Sequence, residues 1–293
     1  MEYILHLLII VMIYIILTFS YNLILGYGGI LSIAHAAFYG VGAYTSALLS
    51  VKLGMPVILS IVSAGLVAAI FSLLIAAPSL RIKGHYLIIT SFGFQLIVSN
   101  ILNNWTSITR GPSGLSGIPP LSIFGFELVN KWTAFIFVMC ITVICLLVLT
   151  KVVHSPFGRI IVAMREDEIG SQSLGKSILK IKISIFMLGS GFAGVAGALF
   201  AHYTSFISPD SFTLTESFFI MTIVLIGGAG TISGPIMGAW IMILLPEILR
   251  FVGLTSTTGA TMKQIAIAVI LLLILRFNSE GVAGWIKKIR HVS

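Results

Sequence analysis

Apolar residues in this chain come in long runs separated by short polar stretches, at residues 3–25, 28–50, 56–78, 85–102, 132–150, 183–205, 215–229, 232–250 and 263–277. A helix needs about 20 apolar residues to cross a hydrocarbon layer of about 30 Å. Inside lipid the backbone must satisfy its own hydrogen bonds, which a helix does within one segment. The runs therefore predict an all-α, polytopic transmembrane helical bundle of eight to ten spans, broken or half-spans included. The run at 215–229 is short enough to be a half-span.

Composition agrees. Hydrophobic residues make up 58% and charged residues 9% of the 293 positions, with a mean hydropathy of +1.11, against roughly 25% charged in soluble domains. Nine acids and seventeen bases are too few to clothe a core of this size in water. The first 51 residues hold no Lys or Arg, so the opening run lacks the basic start of a signal peptide and reads as a retained span. Cys140 and Cys145 lie in the apolar run FVMCITVICLLVL without a partner motif, as small hydrophobes would.

Threading the spans alternately sorts the bases. With Arg81 cytoplasmic, that side holds twelve of the seventeen: Arg81, Lys83, Lys151, Arg159, Arg165, Lys176, Lys180, Lys182, Arg276, Lys287, Lys288 and Arg290. The other side holds Lys52, Arg110, Lys131, Arg250 and Lys263. Positive charge collects on the cytoplasmic side of membrane proteins, which places the C-terminus inside and a 103–131 loop outside, bracketed by Trp105 and Trp132 as interfacial anchors. The net charge of +8 is accounted for by this bias and by anionic membrane lipid, and calls for no nucleic acid.

Residues 151–182 form the longest cytoplasmic loop. Within it, GSQSLGKS, from Gly170 to Ser177, fits the phosphate-loop pattern. The pattern needs a buried strand before it and a domain around it, whereas MREDEI precedes Gly170 and the loop is too short for a nucleotide-binding domain. The residues favour a short surface helix instead. Glu166, Asp167 and Glu168 stand in its first turn against the positive end of the dipole, and Gly175 ends it in the left-handed conformation. At eight or nine residues it would be about 13 Å long. Lys176, Lys180 and Lys182 follow its negative end.

The stretch GRIIVAMREDEIGSQSLGKS, followed by FMLGSGFAGVAGALFAHY, resembles the coupling loop of permeases in ATP-binding-cassette importers. Three more stretches match in order: NLILGYGGILSIAHAAFYGVGAYTSALL, TRGPSGLSGIPP and MTIVLIGGAGTISGPIMGAW. Together they resemble the M-type permease subunit of the high-affinity branched-chain amino acid ABC transporter family. The resemblance implies one transmembrane permease domain over residues 1–293, in a bacterial cytoplasmic membrane, moving leucine, isoleucine and valine delivered by a soluble binding protein. It implies a second, H-type permease and two cytoplasmic ATPase subunits, with ATP and Mg on those subunits and no cofactor or catalytic residue on this chain. The family's coupling residues fall on Gly158, Arg159, Ala163, Arg165, Glu166, Glu168 and Gly175. Asp167 replaces an expected neutral residue. Related permeases leave urea and short amides open as alternative cargo, and the external loop is the expected meeting place for the binding protein, with Asp210 and Glu216 available on the same side.

Two glycine-rich interruptions are candidates for the passage: Gly26, Gly28 and Gly29 before Ser32, and Gly227, Gly228 and Gly230 before Ser233. Paired interruptions in two halves are a mark of broken helices in transporters, and close helix packing is the other use of such glycines. For Gly40, Gly42, Gly189, Gly191, Gly194 and Gly197 packing is the expectation. His35 is an ionisable residue inside an apolar run, which raises a functional role beside a purely hydrogen-bonded one. An ion-coupled carrier would place acids at mid-membrane, whereas every acid here stands near a loop or a span end. An intramembrane enzyme would need a nucleophile and base or a metal motif, and neither H-E-x-x-H nor G-x-S-x-G occurs.

Overall fold

A computed structural model of the chain describes residues 2–79, 86–123, 126–128, 130–251, 269 and 281. The ninth apolar run, the loop bases Arg81 and Lys83 and the basic tail with the C-terminus lie outside the described residues. "Inner" and "outer" below are the sides assigned by the distribution of Lys and Arg.

Helix α1, Glu2–Asn22, runs inward and widens into a π turn at Leu23–Tyr27. An irregular stretch leads to α2, His35–Leu53, then α3, Val57–Phe71, and its continuation α4, Leu73–Ser79. Next come α5, Tyr86–Asn104, and a short outer turn α6, Thr106–Thr109. After the outer loop, α7, Lys131–His154, crosses back to two inner-side helices, α8, Pro156–Glu166, and α9, Glu168–Ser173. The long α10, Ile178–Thr204, returns outward, and α11, Leu214–Gly227, and α12, Ser233–Phe251, complete the described fold.

Five segments are long and apolar enough to cross a membrane: Glu2–Tyr27, Val57–Ala76, Tyr86–Asn104, Lys131–His154 and Ile178–Thr204. The chain is a multi-pass membrane protein built as an all-α bundle. Helix α2 falls outside those five, although it has 19 residues, because Ser, Tyr, Gly and His dilute it. It faces protein instead of lipid. It packs against α10 and α3, and Ala36, Ala37, Phe38, Ala43 and Ala47 are fully enclosed. The lipid-facing helices do the opposite, exposing Leu66 and Ile70 on α3, Ile89 and Ile97 on α5, and Ile144 and Leu147 on α7.

The α2–α10 contact is made by glycines. A Cβ on Gly42 would lie 2.2 Å from the Cα of Gly194, and one on Gly197 would lie 2.0 Å from the carbonyl oxygen of Tyr39. Gly189 similarly takes the side chain of Ile24, so these positions serve packing, as expected. At its outer end the α10 residue His202 is locked between helices, with Nε2 2.8 Å from Ser46 Oγ and Nδ1 2.8 Å from the Pro119 carbonyl.

Forcing a methyl group into the α2–α10 seam should cost about 1–3 kcal/mol by overpacking. Gly42→Ala is therefore expected to lower the thermal unfolding midpoint of the purified chain in detergent by several degrees. Gly93→Ala on α5, where a Cβ meets nothing within 4 Å, should leave it unchanged or raise it. Equal effects of the two would contradict the seam.

Candidate functional site

The two glycine-rich interruptions meet at the inner end of the bundle. Asn22, the last residue of α1 and fully buried, holds them together. Its Oδ1 accepts from Gly230 N at 2.8 Å, and its Nδ2 donates to the Thr231 carbonyl at 2.8 Å. Gly26 must lack a side chain there, because a Cβ would fall 2.1 Å from Asn22 Oδ1 and 2.2 Å from Gly230 N. Gly230 has φ +78°, a conformation in which side chains are strained. Gly28 is buried against the Ile24 carbonyl, and Gly227 against Gly234 of α12. Gly228 ends α11, while Ser233 is exposed at the start of α12.

A third element reaches the same junction from the inner side. The Nη1 of Arg165, near the end of α8, donates to the Gly26 carbonyl at 2.6 Å. Its Cγ would stand 2.6 Å from a Cβ on Gly29, and Nη1 3.2 Å from one on Gly230. One guanidinium thus touches both interruptions.

The break between α1 and α2 leaves the first N–H groups of α2 short of helical carbonyl partners, with Ala37 N reaching the Ala34 carbonyl at 3.1 Å. Side chains from other helices supply them. Ser217 Oγ of α11 accepts from Ala36 N at 3.0 Å, and Gln95 Oε1 of α5 accepts from Ala37 N at 2.8 Å. Ser91 Oγ accepts from Ile33 N at 3.0 Å. Gln95 also donates from Nε2 to the Phe212 carbonyl at 2.9 Å, which pins the Pro209–Phe212 turn leading into α11. Ser32 is buried, its carbonyl accepting from Tyr21 at 2.8 Å. His35 is buried with Nε2 2.9 Å from Ser20 Oγ. The Ser20 hydroxyl is directed at the Leu17 carbonyl, so it accepts from the imidazole N–H.

The cytoplasmic segment departs from the expected single helix. Glu166 ends α8, and Asp167, extended at φ −143°, breaks the chain before α9. The cause is capping at both starts. Ser155 Oγ accepts from Gly158 N at 3.2 Å ahead of α8, and Asp167 Oδ1 accepts from Gly170 N at 2.9 Å ahead of α9. An aspartate two residues before the expected first turn's end is a better N-cap than a helix interior residue. Gly158 is buried where the chain turns off α7, a Cβ there lying 1.9 Å from the Val153 carbonyl. Arg159 and Ala163 are exposed. Glu168 pairs with Lys182 at 2.9 Å, tying α9 to α10. Gly175 does adopt φ +78° past the end of α9. Ile169 and Leu174 stand out into solvent at 73% and 81% exposure.

On the outer side, Leu115–Ser116 of the external loop pairs antiparallel with Phe206–Ile207. A cavity of about 670 Å³ lies under this loop, lined in part by His6, Lys131, His202 and Tyr203. Asp210 is exposed there. Glu216 is not available on that surface: it turns into the bundle, where Oε1 accepts from Tyr14 at 2.6 Å.

The family described as branched-chain amino acid transport system, permease component, matches residues 3–275. The high-affinity branched-chain amino acid transport system permease proteins LivM of Salmonella typhimurium and Escherichia coli are each 37% identical over 262 residues, covering 82% of this chain and 62% of their own length. The chain therefore spans about three fifths of those relatives. The probable branched-chain amino acid transport permease protein LivM of Methanocaldococcus jannaschii is 26% identical over 276 residues, 87% of this chain and 80% of its own. The autoinducer 2 import system permease protein LsrC of Salmonella typhi is 27% identical over 170 residues, 55% of this chain and 47% of its own. No solved structure matches.

Removing the Asn22 amide strands a part-buried N–H and a part-buried carbonyl, at a cost of up to about 1–3 kcal/mol for each unpaired group. Asn22→Ala should speed hydrogen–deuterium exchange in peptides covering residues 226–232, and Asn22→Asp, which keeps the acceptor for Gly230, should speed it less. Exchange unchanged by Asn22→Ala would remove the clamp.

Proposed function

The chain belongs to the permease components of branched-chain amino acid transport systems, and from that membership we propose that it forms the passage of an ATP-driven importer in a bacterial cytoplasmic membrane. The cargo is leucine, isoleucine and valine, brought by an extracytoplasmic binding protein. Its partners are a second permease of the H-type and two ATPase subunits, which hold ATP and Mg and carry out the hydrolysis. The C-terminus faces the cytoplasm. The match of the family over residues 3–275 carries this reading.

The proposed coupling runs through residues 151–182. Two large apolar side chains, Ile169 and Leu174, project from a cytoplasmic knob with no cover of their own, which suits a protein partner. Motion of that knob passes along α8 to Arg165 and so to the Gly26 carbonyl and Gly230. Gly158, Arg159, Ala163, Glu166, Asp167, Glu168 and Gly175 shape or flank the knob. Gly28, Gly29, Ser32, His35, Gly227, Gly228, Gly230 and Ser233 belong to the moving junctions in this proposal, with Ser32 and His35 bracing the start of α2.

One argument against the carrier alternative falls, because Glu216 beside Tyr14 is an acid away from the surface, but family membership and the apolar knob both favour an ATP-coupled machine. Similarity to a permease for autoinducer 2 import supports keeping that solute, with urea and short amides, in the cargo test.

The test is the complete complex in nanodiscs, with ATP hydrolysis measured against leucine-loaded receptor. Ile169→Glu with Leu174→Glu should weaken retention of the ATPases by about tenfold or more, equivalent to about 1.4 kcal/mol, and abolish receptor stimulation. Solute movement by this chain without ATP, indifferent to the double substitution, would sink the proposal.

A further inference from the structure

The cavity under the outer loop is walled by four elements. Helix α1 gives His6, α7 gives Lys131 and Ala134, α10 ends there in Tyr203, and the loop covers it with Leu121 and Leu128. At about 670 Å³ it falls within the range of about 300–1,000 Å³ that holds whole small molecules. Lys131 opens α7 beside Trp132, which is exposed at the outer edge of the bundle. Ala134 lies three residues on, about 4.5 Å deeper. The headgroup layer on each side of a bilayer is about 5–7 Å thick, so the cavity runs from headgroup level to the start of the hydrocarbon. His6 and Lys131 are exposed, on the two helices that also present Ile4 and Ile136 outward.

The described residues that line this cavity include a lysine and two histidines and no acid. Their hydrogen bonds decide which of them can meet a ligand. His202 is committed at both ring nitrogens, to Ser46 and to the Pro119 carbonyl. His6 commits only Nδ1, which lies 2.7 Å from the Tyr203 hydroxyl, and its ring stacks on Tyr203 with centroids 5.5 Å apart. With the tyrosine as donor, the imidazole proton sits on Nε2 and is available to an acceptor. Lys131 lies 2.9 Å from Glu2, but their side chains are 45% and 82% exposed. Such a surface pair is worth about 0–1 kcal/mol, and it occupies one of the three donors of the ammonium.

An ammonium, an imidazole N–H and an apolar wall of Leu121, Leu128 and Ala134 match an anionic head on a hydrocarbon stem. A free amino acid would ask for an acid beside the base, and the described lining has none. The geometry points to a binding site for an anionic phospholipid of the outer leaflet: Lys131 and His6 hold its phosphate, and its stem lies between the loop and α7. Basic pockets between transmembrane helices take anionic headgroups through the same charge complementarity. Because Leu121 and Leu128 belong to the outer loop, a lipid seated there packs beneath that loop and braces it against α1 and α7. The inference is independent of the importer reading, since it needs only a membrane and the outer end of the bundle.

The experiment is native mass spectrometry of the complete complex, delipidated in detergent and titrated with phosphatidylglycerol or with phosphatidylcholine. At equal lipid concentration, His6→Gln with Lys131→Gln should retain about one phosphatidylglycerol fewer per copy of this chain than wild type, the charge that draws an anionic headgroup being gone. Phosphatidylcholine counts should stay equal. Lys52→Gln, which removes an exposed base at the outer end of α2, should keep the wild-type count. Equal phosphatidylglycerol counts in the double variant and wild type overturn the site, and so does an equal loss in Lys52→Gln, which marks diffuse surface charge. Inorganic phosphate and glycerol phosphate serve as competitors in parallel: lipid retained in their excess supports the site, and lipid displaced by them marks a site for free anions and overturns it. Should the double variant fail to assemble, His6→Gln alone decides, a lower phosphatidylglycerol count supporting the site and an unchanged one overturning it. No arm depends on cargo or ATP, so failure here leaves the importer reading to its own test.

Discussion

The fold is governed by the cost of interrupting a helix where no water can repair the backbone. Each N–H or carbonyl released inside lipid needs another partner, and the described residues interrupt apolar helical runs at two glycine clusters. Gln95, Ser91 and Ser217 answer the break before α2, and Asn22 and Arg165 answer the breaks at the inner end. Most of the buried polar side chains bond main-chain groups, while Ser46, Ser50 and Ser60 bond other side chains. The bundle stays intact because these commitments cross between helices distant in sequence.

The same commitments divide the molecule into parts. Helices α2, α3 and α10 are joined backbone to backbone through glycine and form one block. Helix α11 is tied to this block through Ser217, and α11 and α12 pack along α1, whose Asn22 holds the turn between them. Arg165 stands at the second of these joints and belongs to the cytoplasmic segment. In the proposed coupling, a displacement of α8 would act through Arg165 on that turn, away from the glycine seam.

Much of this was legible in the sequence. Long apolar runs gave the spans, the glycine clusters marked both interruptions, and Gly175 marked the end of α9. Asn22 was missed because one amide inside SYNLILGY carries no signal of its own; only the spatial meeting of Gly26 and Gly230 gives it a task. The α8–α9 break was missed because acids were assigned by charge to a first helical turn, whereas Asp167 acts through its capping geometry. Glu216 was counted as a surface acid because it follows an outer loop. The clue lay in the short run at 215–229: a half-span begins in the middle of the membrane, and so does its first acid. His35, in contrast, was visible as an intramembrane ionisable group, and the structure gives it the plainer duty of a hydrogen bond to Ser20.

Helix α2 also imposes an order on biosynthesis. It is too poor in hydrocarbon to rank with the five strongly apolar segments, and its partners arrive late: His202 is 156 residues beyond Ser46, and Ser217 is 181 residues beyond Ala36. While the ribosome is still producing the second half, Ala37 N can already meet Gln95, but Ala36 N has no Ser217 and the helix has no α10 glycine face to lie against. The insertion machinery must shelter an immature helix until α10 and α11 emerge, which makes the first half of this protein, taken by itself, a poor membrane citizen.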